Sequence, residues 1–242
     1  MLEDYVVVDL EMTGLRAKTD RILEIGAIKV EGGMEAGAFH CMVNPHRVIP
    51  PEVTALTGIT SEMAAQGCEA AEAVRGFAGF SQSFPLIGHN IRFDYSFLKQ
   101  AAINYGIPLE RECLDTLKLS RKFLAEAEKK TLDYLCGYLG ICREKNHRAL
   151  EDAKATNGLF RYLQEKFGRE NPSAFLPAPF QCKVKKQGPA SPRQVKRLKE
   201  LAAYHGIELA IEAGSLTKSE ASRLTDKILA AYGKAPTAPR GS

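Results

Sequence analysis

Two runs near the start of the chain, Tyr5 to Leu10 and Ile22 to Val30, carry apolar residues with hardly a polar interruption. Such β-branched runs predict central strands covered on both faces. Ala36 to Val43 reads as a third strand. The Glu31-Gly-Gly33 step before it is a turn signal, so the simplest arrangement is an antiparallel meander. Pro85 to His89 and Arg111 to Asp115 read as two further strands, each followed by a helical pattern, as in βαβ units. Helices are predicted at Ala70 to Phe80, Arg92 to Tyr105, Thr116 to Ala125, Thr131 to Leu139 and Leu150 to Phe167, with Gly106, Gly140 and Gly168 placed where C-terminal caps belong. The pattern predicts an α/β domain with a mixed five-stranded sheet flanked by helices, spanning residues 1–170.

Periodicity fades after Asn171, and Pro172, Pro177, Pro179 and Pro189 mark a linker over residues 171–190. Beyond it, Ser191-Pro192 is a cap with a first-turn proline, and Val195, Leu198 and Ala202 form a helical stripe that stops at Gly206. Thr217-Lys-Ser-Glu220 is a capping box for a second helix carrying Ala221, Leu224 and Ile228 and ending at Gly233. Residues 191–234 thus read as a small helical module. A segment of that size makes a marginal core, so it is expected to lean on the preceding domain or on a partner. The tail, residues 235–242, reads as disordered, its final Arg240-Gly-Ser as a cloning remnant.

Charge divides the chain in the same place. Residues 1–170 sum to −3 and residues 171–242 to +7, and seven cations without an intervening acid lie between Lys183 and Lys199. This is the electrostatic footprint expected for a polyanion, and it reads equally as a solvated linker and helix face. No apolar run approaches the ~20 residues of a membrane span, and the start lacks the pattern of a signal peptide, which predicts a cytoplasmic protein. Six scattered cysteines without a C-x-x-C pair read as free thiols.

The acids carry the chemistry. Asp9 and Glu11 lie two apart at the end of the most apolar strand, so the pleat turns both carboxylates to one side. Taken alone, the pair reads equally as a solvated strand end. Asp94 shifts that balance, because it falls on the apolar stripe of its helix in register with Phe97, Leu98 and Ala101. Asp152 repeats the pattern with Thr156, Leu159, Phe160 and Leu163. No comparably placed Lys or Arg is evident. Four inward carboxylates without thiolates select a hard, oxygen-loving ion, Mg²⁺ or Mn²⁺.

Asp9-Leu-Glu11, His89-Asn-Ile-Arg-Phe-Asp94 and His147-Arg-Ala-Leu-Glu-Asp152, in that order, resemble the three motifs of the DEDDh exonucleases. That family, in the RNase-H-like superfamily, contains the proofreading epsilon subunit of bacterial DNA polymerase III. Asp20-Arg-Ile-Leu-Glu-Ile-Gly-Ala27 and the stretch from Asn44-Pro45 to Leu56-Thr-Gly-Ile-Thr60 agree as well, so the resemblance covers roughly residues 3–168. It implies a two-metal 3'-to-5' exonuclease in which Asp9 bridges both ions, Glu11, Asp94 and Asp152 complete their coordination, and His147 is the general base. Outside that motif His147 would read as an exposed loop histidine. The resemblance further implies that Met12, Thr13, Gly14 and Leu15 meet the terminal nucleotide with backbone N–H groups and an apolar wedge, and that His89, Asn90 and Phe93 line the substrate. Phe93 reads equally as core.

Glu11-Met-Thr-Gly-Leu15 is similar to the oligoribonuclease branch of the superfamily, whereas the 44–60 and 89–94 stretches look like the epsilon branch. DNA 3' ends are therefore the expected substrate, with RNA trimming as the alternative. A binding subunit that kept the fold and lost the chemistry is a third reading, against which every catalytic position is filled. As an accessory chain, the protein would dock a DNA polymerase or repair protein through its C-terminal module.

Overall fold

The computed structural model describes residues 1–143, 147–182 and 184–234. Outside them lie Glu144 to Asn146, Lys183 of the basic run, and the tail 235–242. Two compact units are present: residues 1–45 with 49–185, and residues 46–48 with 186–242.

The first unit is built on a sheet with strand order β3-β2-β1-β4-β5-β6. Strands β1 (Tyr5–Met12), β2 (Ile22–Glu31) and β3 (Met34–Met42) form the antiparallel meander. Strands β4 (Leu86–Gly88) and β5 (Glu112–Asp115) add in parallel to it. The sheet is the mixed, helix-flanked arrangement expected, with one correction. A sixth strand, β6 (Ala178–Pro179), pairs antiparallel with β5 inside the stretch read as a linker. A 3-10 turn over Pro172–Phe175 precedes it and buries Phe175 in the core. The prolines there shape an edge strand rather than a tether, since Pro is tolerated where no ladder partner is needed. The first unit accordingly runs on to Lys185.

Helices α3 (Ala70–Ser81), α4 (Ile91–Tyr105), α5 (Thr116–Phe123), α6 (Leu132–Leu139) and α7 (Ala149–Phe167) form close to where periodicity places them. Two short helices, α1 (Pro51–Thr57) and α2 (Ser61–Ala65), were not anticipated, being too short to show a helical period. Gly106 and Gly140 end their helices in the left-handed conformation, as expected of C-terminal caps. Gly168 does not: its φ is −67°.

The sheet separates two apolar layers. On one face Val6, Val8, Leu10, Ile25 and Ala27 meet α3 and α4. On the other, Tyr5, Val7, Ile28 and Val30 meet Leu159, Phe160 and Leu163 of α7. Cys41 and Cys68 correct the expectation of six isolated thiols, for their sulfurs are in contact. Their Cα atoms stand 7.2 Å apart, slightly beyond the ~4.4–6.8 Å that disulfides usually span.

The second unit holds α8 (Pro192–Tyr204) and α9 (Lys218–Tyr232), each started by a capping box, at Ser191 with Gln194 and at Thr217 with Glu220. Leu198, Leu201, Leu216, Ala221 and Ile228 centre its core. Arg47 donates to the buried Glu220 at 3.0 Å, tying the 46–48 segment into the same unit.

Candidate active site

The face of β1 and β2 under α7 changes character along its length. Its register pairs run Tyr5 with Val30, Val7 with Ile28, Asp9 with Gly26, and Glu11 with Glu24. The first two pairs are core; the last two bring three carboxylates to the place where α7 begins. Gly26 is required there, because a Cβ on it would lie 2.1 Å from the Leu150 nitrogen and 2.2 Å from the Ala149 carbonyl carbon. The first turn of α7 therefore rests directly on the β2 backbone, which sets Asp152 beside Glu11.

Glu11, His147 and Asp152 each offer a ligand atom, all within 4.8 Å of one another. Asp94 reaches the cluster from α4 and accepts the Leu10 N–H at 3.1 Å, which locks that helix to the end of β1. Burial pushes Asp9 well above the usual carboxylate range, reinforced by the charges of Asp94, Asp152 and Glu11. Burial, with Asp152, Glu24 and Asp94 adding to it, raises Glu11 to about 8. Asp94 is raised to about 7, chiefly by burial, against the opposing pull of its hydrogen bonds. Asp152 is raised by burial and drawn back by Arg143.

Arg143 is the cation that was not foreseen. Its side chain is buried and donates from both Nε and a terminal nitrogen to Asp152 Oδ1, the Nε contact being 2.9 Å, while another terminal nitrogen reaches Asp133 at 3.3 Å. A single guanidinium cannot neutralise four acids. Burial is the main cause of the rise at Asp9, Glu11 and Asp94, with neighbouring acids adding to it at Asp9 and Glu11, and the donors the four acids offer are carboxylate oxygens. This set fits a hard divalent cation.

Glu24 was quoted in a motif but given no role. It is buried, and Arg148 donates to both of its oxygens at 2.7 and 3.2 Å, the Ala149 N–H donates at 3.0 Å, and the His40 ring nitrogen lies at 2.6 Å. Burial acts to raise it, but these contacts from Arg148, His40 and Ala149 prevail and hold it below the usual value. Helix α7 has no cap from its own Arg148, and Glu24 on β2 supplies one. A lone acid in the apolar run from Ile22 to Ile28 was the available signal. Next to Arg148, His147 takes a left-handed backbone with φ 58°, a conformation rarely adopted by residues with side chains.

The expected substrate residues divide. Leu15 is 80% exposed, an apolar side chain open at the end of β1, and Met12 is half-buried. Thr13 is committed internally: its N–H donates to the Arg21 carbonyl at 2.8 Å and its hydroxyl accepts the Arg21 N–H at 2.9 Å. At Gly14 a Cβ would press on the Asp20 carboxylate at 2.6 Å. His89 is occupied too, its ring nitrogens on Thr116 Oγ1 at 3.0 Å and the Lys130 carbonyl at 2.7 Å. Asn90 is exposed with φ 71° and starts α4. Phe93 packs edge-on against Phe97 at 5.3 Å, its half-buried ring joining the core on that face.

Three motifs on three separate elements thus converge on one acidic cleft, and the RNase_T exonuclease profile matches residues 6–160, most of the first unit. The chain belongs to the exonuclease family. It is 35% identical over 168 residues to the PolC-type DNA polymerase III of Clostridium perfringens, an alignment covering 69% of this chain. The chain spans only 12% of that much longer relative. Among solved structures it is similar to exonuclease X in complex with 5' overhanging duplex DNA, with a TM-score of 0.55 and 25% identity over 68% of this chain and 93% of the other. It shares the fold of E. coli exonuclease I bound to a dT13 oligonucleotide, with a TM-score of 0.64 at 18% identity over 71% of this chain and 43% of that one. No helix among the described residues is long and apolar enough to cross a membrane.

Proposed function

We propose that this protein is a two-metal 3'-to-5' exonuclease that releases nucleoside monophosphates from DNA 3' ends, in proofreading or repair. The observation that carries the reading is the gathering of Asp9, Glu11, Asp94 and Asp152 at the end of the most apolar strand, Asp9 half-buried and the other three buried, all four raised above the ordinary carboxylate range, chiefly by burial. Asp9, Glu11, Asp94 and Asp152 would hold two Mg²⁺ or Mn²⁺ ions. When bound, such ions polarise the scissile phosphate and lower the pKa of water.

The chain's own residues do the rest. His147, within 4.8 Å of Glu11 and Asp152, takes a proton from the attacking water as general base. Exposed Leu15 offers an apolar edge to the terminal base, and Gly14 keeps the backbone beside it close to Asp20. Arg143 holds Asp152 in place through its guanidinium fork.

DNA is favoured over RNA because the chain's similarity runs to a DNA polymerase and to an exonuclease complexed with DNA. Digestion of 5'-labelled single-stranded DNA, mismatched duplex and RNA side by side, with Mg²⁺, Mn²⁺ or chelator, tests the reading. Stepwise shortening from the 3' end that needs the metal and is faster on DNA is the expected result. Hydrolysis that persists in chelator, or RNA cleaved faster than DNA, overturns the corresponding part.

A further inference from the structure

The second unit arranges its rings unusually. Its core is entirely aliphatic, although burying an aromatic ring is among the most effective ways to stabilise so small a module. Between Lys186 and Lys234 the aromatic side chains are Tyr204, His205 and Tyr232. All three gather at one end of the unit, where α8 finishes and α9 finishes. The His205 ring lies 4.8 Å from that of Tyr204, edge-on, and 5.5 Å from that of Tyr232, tilted by 34°. His205 Nε2 sits 3.3 Å from the Gly233 carbonyl, which fixes the ring between the two helix ends. Both tyrosines remain open to water, Tyr204 at 58% and Tyr232 at 61% exposure.

A charged stripe leads to these rings. Arg193, Arg197 and Tyr204 are spaced four and seven apart on α8, which puts them on one helical face. That stripe is about 16 Å long at the rise of an α-helix. Both arginines are exposed, and neither is paired with a carboxylate among the described residues. Glu200, the acid on the same face, is engaged by Lys196 at 3.8 Å. Lys199 adds a further exposed cation on the same helix.

We propose that this face of the second unit is a binding site for single-stranded nucleic acid, with Tyr204 and Tyr232 stacking unpaired bases at one end and Arg193 and Arg197 meeting the phosphates along α8. An exposed cluster of flat rings at the end of a helical face that carries two arginines without carboxylate partners among the described residues matches a ligand that alternates π faces with negative charge. A protein-docking patch would instead be expected to expose the aliphatic residues that this unit keeps inside. The site lies outside the residues shared with the exonuclease family. Joined covalently to a nuclease domain, it raises the concentration of substrate around that domain.

The test is fluorescence anisotropy of the full chain with a labelled thymidine oligomer of roughly 20 nucleotides, longer than the ~4–16 that one single-strand module covers. Excess chelator prevents cleavage during the titration. Tyr204→Ala with Tyr232→Ala is expected to weaken binding by roughly tenfold or more, whereas Tyr204→Phe with Tyr232→Phe, which keeps both faces, stays within about twofold of wild type. Arg193→Gln with Arg197→Gln is expected to reduce the slope of log affinity against log salt by about 1.4, at ~0.7 per phosphate contact on a single strand. Because the four side chains are exposed, the melting temperature should not move, and a dinucleotide, with too few bases and phosphates to occupy these four side chains, should be cleaved at the wild-type rate. Unchanged oligomer affinity in the double alanine variant overturns the proposal and leaves a protein partner as the occupant. Failure of the exonuclease reading would show instead as no cleavage by any variant, with the binding differences intact.

Discussion

Glu11 and Glu24 face each other across β1 and β2, one register pair in one sheet, both buried, and their carboxyls are shifted in opposite directions. Glu24 is surrounded by donors: the Arg148 guanidinium, the Ala149 N–H and the His40 ring. Glu11 is surrounded by further acids. The pair teaches how to tell a structural carboxylate from a functional one. Burial alone does not separate them, and neither does residue type or strand position. What separates them is whether the protein itself supplies the opposite charge. Where it does, the acid holds α7 onto the sheet; where it does not, the acid is left to a proton or to a cation from outside the chain.

That contrast is broken most severely by removing the uncompensated acids. Asp9→Ala, Glu11→Gln or Asp152→Asn is expected to abolish hydrolysis, while the metal-free Asp9→Ala and Glu11→Gln proteins melt at the same temperature or higher because like-charge repulsion is relieved, and Asp152→Asn, which strands the buried Arg143, melts lower. Purified variants that keep more than a trace of activity, or Asp9 and Glu11 variants that melt well below wild type, would place these residues with Glu24 instead. His147→Ala should cost ~10² to 10⁴-fold in rate, as loss of a general base does. Calorimetric titration with Mn²⁺ should find metal affinity nearly unchanged; its loss would make His147 a ligand.

Glu24→Gln probes the other half of the comparison and should have the opposite sign. It leaves the Arg148 guanidinium without its counter-charge, so the fold is expected to lose about 1–3 kcal/mol, read as a shift in the denaturant midpoint. Mn²⁺ affinity should change little. A variant as stable as wild type that no longer binds metal would reverse the assignments of the two glutamates.

The smallest effect is the pH dependence of the metal-free protein. Glu11 near 8 and Asp94 near 7 are raised above their unfolded values, so between about pH 4 and 8 the native state holds more protons than the unfolded one. Stability therefore falls as pH rises through that window. Glu24 works in the other direction, its lowered pKa giving stability that is lost only as pH falls below the ordinary carboxylate range. Melting curves in chelator should decline from pH 5 to pH 8, and added Mg²⁺ should restore stability most at the alkaline end. A flat profile would mean that the acids of the cluster are not coupled as described.

Much of this was open to reading along the chain. The two apolar runs marked β1 and β2, because a strand covered on both faces tolerates few polar residues and leaves a continuous signature. Asp94 and Asp152 stood out because an acid on an apolar helical stripe contradicts its surroundings. A serine cap with a first-turn proline marked α8, and a capping box marked α9, through local chemistry alone. The edge strand β6 escaped notice because two residues cannot display a period, and the prolines around it imitate a tether.

The sequence by itself determined which residues are chemically out of place: Asp9, Glu11, Asp94 and Asp152, and a histidine inside a motif that needs a base. Their types and periodicities are local properties, and local properties can be read without coordinates. Only the tertiary structure decided which charges meet. Arg143 on Asp152, Arg148 on Glu24, and the Gly26 contact that seats α7 on β2 join residues 9, 124 and 123 positions apart. The exposed rings of Tyr204 and Tyr232 meet across 28 positions through His205. Electrostatic compensation and ring clustering depend on distances of a few ångströms in space, and packing alone sets those distances.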